Sequence, residues 1–230
     1  MKLVLFDIDG TLLWTNGAGR RAMEGALLTH FGTPGPAAYR YDGKTDGQIV
    51  RDTMRQCGFP DDRIDRYMPA VLLEYLQRLD HELTLAPDRL HRFDGVFELL
   101  DALEGRADRV IGLLTGNVAA GASRKLRAAG IAPERFIVGA FGSDHEDRHA
   151  LPAIALERAE LALGTPIPGS RVIIVGDTPN DIHCGRPVGA RAIGVATGHY
   201  TVAQLSEHDP AACFADLRDT DAVMQAIDDA

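Results

Sequence analysis

Leu3-Val4-Leu5-Phe6-Asp7-Ile8-Asp9-Gly10-Thr11 decides the fold. The first four residues form an unbroken apolar run, the pattern of a strand covered on both faces. Two carboxylates follow at once, spaced i and i+2. Burying such charges is costly unless they are paired or used. Residues i and i+2 of a strand share one face. At the C-terminal end of a central parallel strand, that face opens on the crevice where open α/β sheets bind ligands. Two acids at such a point suit a divalent cation, or a nucleophile paired with an acid/base.

Working outward, similar apolar runs recur at residues 110–114, 136–138, 172–175 and 192–195. Helical patterns separate them at 118–129, 152–163 and 180–189. Pro152 reads as a first-turn proline, and Gly130 as a helix C-terminal stop. This alternation predicts an α/β fold, a Rossmann-like parallel sheet with helices on both faces. The rhythm breaks once, between Thr11 and Val110. Helical patterns at 17–31, 46–57 and 62–79 fill most of that gap, with Pro34-Gly35-Pro36 between the first two. A helix near 95–103 returns to the core. The expected organisation is an α/β core over 1–15 and 93–230, with a small helical cap domain at 16–92 inserted after the first strand. Such an insert would sit over the crevice.

Composition narrows the function classes. The chain has 230 residues, 45% of them hydrophobic and 25% charged, as in ordinary globular proteins. Its net charge of -9 argues against nucleic acid, which requires a basic face. It is compatible with a small phosphorylated metabolite, because a bound cation supplies local positive charge. No apolar stretch reaches membrane-spanning length, so no membrane partner is expected. Cys57, Cys184 and Cys213 are too far apart for metal-ligand spacing. Sparse, odd-numbered cysteines and the lack of a signal-peptide pattern lead to an expected cytoplasmic location.

Four predicted strands end in polar segments: Asp7 to Thr11, Thr115-Gly116-Asn117, Ser143 to His149, and Gly176-Asp177-Thr178-Pro179-Asn180-Asp181. In a parallel sheet these ends share one edge. The order of these motifs resembles that of the haloacid dehalogenase-like hydrolases over nearly the whole chain. Asp7 to Thr11 matches the first motif of that family, Thr115 the second, and Gly176 to Asp181 the fourth. Gly194-Val195-Ala196-Thr197-Gly198 and the insert with Gly43-Lys44-Thr45-Asp46 are similar to its phosphoglycolate phosphatase and β-phosphoglucomutase branch.

The resemblance implies a mechanism. Asp7 is the expected nucleophile toward phosphorus. Asp9 is the expected acid for the leaving alcohol and base for water. Mg²⁺ is the expected cofactor, held by the Asp7 carboxylate, the Asp9 backbone carbonyl and the Asp177 carboxylate. Asp181 is expected to hold a metal-bound water or orient neighbours; it also reads as a helix-start acid. Gly10, Thr115, Gly116 and Asn117 are the expected phosphate-binding residues. Asp9 also separates phosphatases and phosphomutases from the dehalogenase members, which lack an acid at that position.

At the third motif the chain departs from the family, which places a lysine just before a proline-containing helix start. Arg148 stands there instead, beside His149. Arginine can neutralise the nucleophile and phosphate through a fixed fork. Lys125 is a rival, although Ser123-Arg124-Lys125-Leu126-Arg127 reads as a solvated helix face. In the insert, Lys44 and Thr45 are candidate substrate contacts, with a solvated loop lysine as the alternative for Lys44. Arg20 and Arg21 read as surface charges, and Trp14 as packing at the entrance to the insert. His145-Glu146-Asp147-Arg148-His149 has the spacing of a zinc protease motif, which works only on a helix. Gly142 before it and Pro152 after it indicate a loop. The expected function is phosphatase action on a small phosphomonoester. The alternatives are a hexose phosphomutase with the same aspartates, and a non-catalytic phosphate-binding protein of this fold.

Overall fold

The computed structural model describes residues 1–85 and 90–230. The chain opens with β1 (Lys2–Phe6). β2 (Leu13–Trp14) leads into helices α1 (Ala18–Phe31), α2 (Asp46–Gln56) and α3 (Asp61–Leu85), and β3 (His91–Arg92) leads out. Then follow α4 (Val96–Glu104), β4 (Arg109–Thr115), α5 (Ala119–Ala128), β5 (Val138–Phe141), α6 (Leu151–Leu163), β6 (Val172–Gly176), α7 (Pro179–Cys184), β7 (Arg191–Val195), α8 (Val202–Ser206), β8 (Ala212–Phe214) and α9 (Thr220–Asp229).

Six strands form one sheet in the order β5-β4-β1-β6-β7-β8, every neighbouring pair parallel. Leu3 aligns with Val110 on one side and Val172 on the other. The chain lays β4 and β5 on one side of β1, then returns to lay β6, β7 and β8 on the other. The strand order therefore reverses between β1 and β6, and their C-terminal ends flank the crevice where such sheets bind ligands.

Strand alternation divides the core into two apolar layers. Val4, Phe6, Ile173 and Val175 face the layer covered by α4, α5 and α9, where Leu99, Leu126 and Ile227 are buried. Leu3, Leu5, Val172 and Ile174 face the layer covered by α6, α7 and α8, where Ala155, Ile182 and Leu205 are buried. A third cluster lies among α1, α2 and α3, with Leu27, Met54 and Tyr75 fully enclosed. The two chain crossings into and out of these helices pair with each other, Leu13 with Arg92 and Trp14 with His91. Residues 86–89 of the expected 16–92 insert lie outside the described residues.

Several elements differ from the sequence reading. The strand expected at 136–138 runs from Val138 to Phe141, because a 3-10 turn at Pro133–Arg135 occupies the approach. The helix expected at 180–189 ends at Cys184 and gives way to a 3-10 turn at Arg186–Val188. The β2–β3 pair, α8 and β8 are very short, and the sequence reading did not find them; it also passed over α9, although Val223 and Ile227, four residues apart, form its buried face.

Candidate active site

Asp7 follows β1, and its N–H donates to the Val175 carbonyl of β6 at 3.0 Å. Asp177 follows β6 directly, and Asp181 lies one turn into α7. A carboxylate oxygen of each of these three buried residues lies within 4.8 Å of the others. Gly10 lets the loop after β1 close over this cluster. Its φ is +84°, and a Cβ there would lie 2.3 Å from Asp177 Oδ2. Its N–H donates to the Leu13 carbonyl at 2.9 Å, so its amide is already engaged. Gly10 therefore serves close approach to Asp177, which corrects its expected role as a phosphate donor.

The positive charge of the cluster comes from Arg148, in a 3-10 turn before α6. Its Nη2 lies 3.0 Å from Asp7 Oδ1 and also donates to Asp181 Oδ1 and, at 3.2 Å, to the Leu114 carbonyl. Burial opposes its charge, but Asp181 and Asp7 outweigh burial and hold the guanidinium protonated. His149 is exposed and turns to Asp147 instead. The second Asp181 oxygen accepts from the Thr178 N–H at 3.0 Å and hydroxyl at 2.7 Å, within a capping box that starts α7. Both oxygens of Asp181 thus have partners.

Asp177 is different. Among the described residues its carboxylate accepts only the Thr11 hydroxyl, at 3.3 Å. Burial, then the charges of Asp181 and Asp7, push its pKa well above the usual carboxylate range. Burial also raises Asp7 to about 6, against the pull of Arg148. Three buried carboxylates with one arginine, paired to Asp7 and Asp181, are short of positive charge. Oxygen donors in this state fit a small hard cation such as Mg²⁺.

On the β4 side, Thr115 is fully buried and Gly116 and Asn117 turn the chain toward α5. The Asn117 side chain donates from Nδ2 to Thr115 Oγ1 and to Asp9 Oδ2, each at 2.8 Å. Lys125 Nζ donates to Asp9 Oδ2 and to Asn117 Oδ1, each at 2.6 Å. Lys125 is 4% exposed, so the reading of its segment as a solvated face is wrong at this residue. Gly121, Ala122, Lys125 and Leu126 form the buried face of α5, while Arg124 and Arg127 point outward. Side chains on a helix lean toward its N-terminus, which carries the Lys125 ammonium back to Asn117 and Asp9. The sequence signal was the spacing from Asn117, about two turns.

The helices α1 to α3 roof these strand ends and enclose a cavity of about 630 Å³. Asp7, Asp9, Asp177, Lys125 and Arg148 line its floor, while Arg20, Tyr41, Lys44 and Trp14 line its upper walls. Trp14 stacks edge-on against His199, and Arg20 is held by Glu24 and by backbone carbonyls. Lys44 donates to the Tyr39 hydroxyl at 2.7 Å and faces the cavity. Thr45 does not line the cavity. Its hydroxyl donates to the Glu146 carbonyl at 2.6 Å and accepts from Gln48 N–H as the α2 N-cap. It docks the roof, which corrects its expected contact with substrate.

Sequence reasoning missed two further residues at this seam. Asp46 donates its N–H to the Gly116 carbonyl and accepts from Val118 N–H, both at 2.8 Å. Burial lifts its pKa to about 6, against Lys125 and the Val118 bond. Arg51 of α2 forms a two-pronged pair with Glu146, at 2.6 and 2.7 Å. Glu146 thus serves the roof. The segment containing it is irregular apart from a 3-10 turn at Arg148–Ala150, so the zinc-type spacing has no helix to act on. The thin signal for Asp46 was its place after the N-cap threonine; nothing in the sequence pointed to the Arg51–Glu146 pair.

A doubly wound parallel sheet with buried carboxylates at its switch point defines an α/β enzyme site of the aspartate-centred type. The sequence profile of the haloacid dehalogenase-like hydrolases matches residues 4–186, and the chain belongs to this family. A hydrolase from Pseudomonas syringae is 19% identical and superposes with a TM-score of 0.73, covering 98% of each chain. A predicted phosphoglycolate phosphatase from Haemophilus somnus is 19% identical, with a TM-score of 0.68 and 98% of each chain covered. CbbY from Rhodobacter sphaeroides, solved in complex with phosphate, is 17% identical, with a TM-score of 0.66 over 95% of this chain and 96% of that one. At these identities the likeness shows a shared fold. No curated protein matches the chain in sequence. Among the described residues, no helix is long and apolar enough to cross a membrane.

Proposed function

We propose that this protein is a Mg²⁺-dependent phosphatase that hydrolyses a small phosphomonoester through an aspartyl-phosphate on Asp7. The observation that carries this reading is the Asp7–Arg148–Asp177 arrangement: a buried carboxylate with an arginine on one oxygen, beside a second carboxylate without a charge partner. Phosphoglycolate and sugar phosphates are the substrates we favour. The neighbours named as a phosphoglycolate phosphatase and as a complex with xylulose-(1,5)bisphosphate support that choice of class.

In the first half-reaction a carboxylate oxygen of Asp7 bonds to phosphorus, the bond from phosphorus to the alcohol oxygen breaks, and Asp9 gives that oxygen its proton. In the second, water attacks phosphorus, its proton passes to Asp9, and the electron pair of the breaking bond returns to Asp7. Arg148 and the Thr115-Gly116-Asn117 turn hold the transferring phosphoryl oxygens. Mg²⁺ held by Asp7, Asp177 and the Asp9 backbone carbonyl would supply charge neutralisation between nucleophile and phosphate. Asp181 keeps Arg148 in place. The roof formed by α1, α2 and α3 acts as a cap that excludes bulk water and selects the substrate. The unpaired cysteines suit a reducing compartment, and we place the protein in the cytoplasm.

The test is phosphate release from a panel of phosphomonoesters, with Mg²⁺ and with EDTA. Release that depends on Mg²⁺ and favours one substrate supports the reading. No release alone, with hexose-phosphate isomerisation on adding a bisphosphate activator, transfers the site to a phosphomutase.

A further inference from the structure

We infer that Lys125 is a positioning residue for Asp9: with Asn117 it binds one carboxylate oxygen and thereby fixes the rotamer that presents the other oxygen to the reacting group. The inference rests on the phosphatase reading and adds a group to it. A buried ammonium is costly unless firmly paired, and Lys125 is 4% exposed on a helix whose other basic residues face solvent. Its partners are both at the site. Nζ donates at 2.6 Å to Asp9 Oδ2 and at 2.6 Å to Asn117 Oδ1, while Asn117 Nδ2 donates to the same Asp9 Oδ2 at 2.8 Å. The ring Lys125–Asn117–Asp9 is thus closed by three hydrogen bonds.

The consequence follows from lone-pair capacity. A carboxylate oxygen accepts along two in-plane directions, and Oδ2 of Asp9 has a donor for each. Among the described residues no hydrogen bond reaches Oδ1. Oδ1 is therefore the oxygen left for the leaving group and later for water. The ring also fixes the Asp9 rotamer, which matters because an acid misplaced by about 1 Å loses much of its effect. The roof shares in this arrangement. A Cβ at Gly19 of α1 would lie 3.1 Å from Lys125 Nζ, so the glycine leaves room for the ammonium under the helix.

A residue that acts through the general acid has a distinct kinetic signature. Alkyl phosphates need a proton on the leaving oxygen, whereas p-nitrophenyl phosphate leaves as a stabilised phenolate and needs little. The experiment compares kcat/KM for glycerol phosphate or phosphoglycolate with that for p-nitrophenyl phosphate, in wild type, Lys125→Met and Lys125→Gln. Each variant is first checked for a native melting transition. General acid catalysis contributes about 10²- to 10⁴-fold, so the alkyl-to-aryl ratio should fall at least about tenfold in Lys125→Met. It should fall less in Lys125→Gln, which retains a donor. In an Asp9→Asn background, Lys125→Met should leave the ratio unchanged, because the two act as one unit. Equal losses on both substrates, or an unchanged ratio with a raised KM, overturn the inference in favour of packing or substrate binding. Wild-type protein that hydrolyses neither substrate overturns the phosphatase reading itself.

Discussion

Arg148 Nη2 lies 3.0 Å from Asp7 Oδ1, and both side chains are buried at one edge of the sheet. The arginine stands where the family places a lysine. A lysine would bring a mobile point charge; the guanidinium bridges Asp7, Asp181 and the Leu114 carbonyl at once. Arg148→Ala should lower kcat by about 10²- to 10³-fold, the scale of losing one fixed donor to a developing charge. It should also destabilise the fold by about 3–5 kcal/mol, because two buried carboxylates lose their partner. Arg148→Lys should restore part of the activity. Initial rates and urea unfolding check both effects; near-normal rates in Arg148→Ala would remove the arginine from the chemistry.

The shortage of positive charge around Asp177 predicts that Mg²⁺ stabilises the folded protein. At 100 times its Kd, a ligand specific for the folded state adds about 2.7 kcal/mol. The melting temperature should rise with MgCl₂ and fall again with EDTA. In Asp177→Asn the response should be lost, while the variant without metal is at least as stable as wild type, since a buried charge is gone. An equal Mg²⁺ response in both proteins would place the cation elsewhere.

These two predictions concern residues that were legible in the sequence. Asp7 and Asp177 each follow an apolar run at a strand end, and parallel pairing brings such ends together; Arg148 was found through its place before Pro152, where the family that the chain resembles has its lysine. The burial of Lys125 was not legible, because its neighbours Arg124 and Arg127 lie on the outer face of α5 and it is the roof, with α3 against α5 and Gly19 of α1 over the ammonium, that covers it. Thr45 was misread for the opposite reason. A hydroxyl beside a lysine resembles a binding pair, but this one is consumed by capping α2 and docking Glu146. The strand at Val138–Phe141 was displaced because Phe136 is apolar and buried without being paired in the sheet. Local pattern locates strand ends; it does not show which polar side chains a long insert will cover.

Asp46 makes stability depend on pH. Folded, it holds its proton up to about pH 6, whereas the unfolded chain releases it near 3.8. Between these values the folded state binds more protons, so this residue's contribution to stability falls as pH rises through the window. Asp46→Asn keeps an acceptor for Val118 N–H and removes the charge. Its stability gain should be near zero at pH 4 and on the order of 1–3 kcal/mol at pH 7. Urea unfolding at the two pH values measures it; an equal effect at both would refute the assignment.

Arg51 and Glu146 tie the roof to the loop before α6. The pair is partly exposed, with side chains 19% and 40% accessible, so its coupling should be only about 1 kcal/mol. Arg51→Ala should raise KM roughly five-fold with a smaller change in kcat, because a looser roof binds substrate less well and the floor is intact. A double-mutant cycle with Glu146→Ala should show that the two losses are not additive. Additive losses would mean that the pair does not hold the roof.

The central claim is that Asp7 carries the phosphoryl group. Turnover of the best phosphomonoester in the panel is quenched with acid, the protein is reduced with borohydride, and the peptide containing residues 3–20 is weighed. An acyl phosphate is reduced to an alcohol, so the account predicts homoserine at position 7 and its absence in Asp7→Asn, together with loss of turnover. Unmodified Asp7 in every quenched sample, or reduction at Asp9 instead, would contradict it.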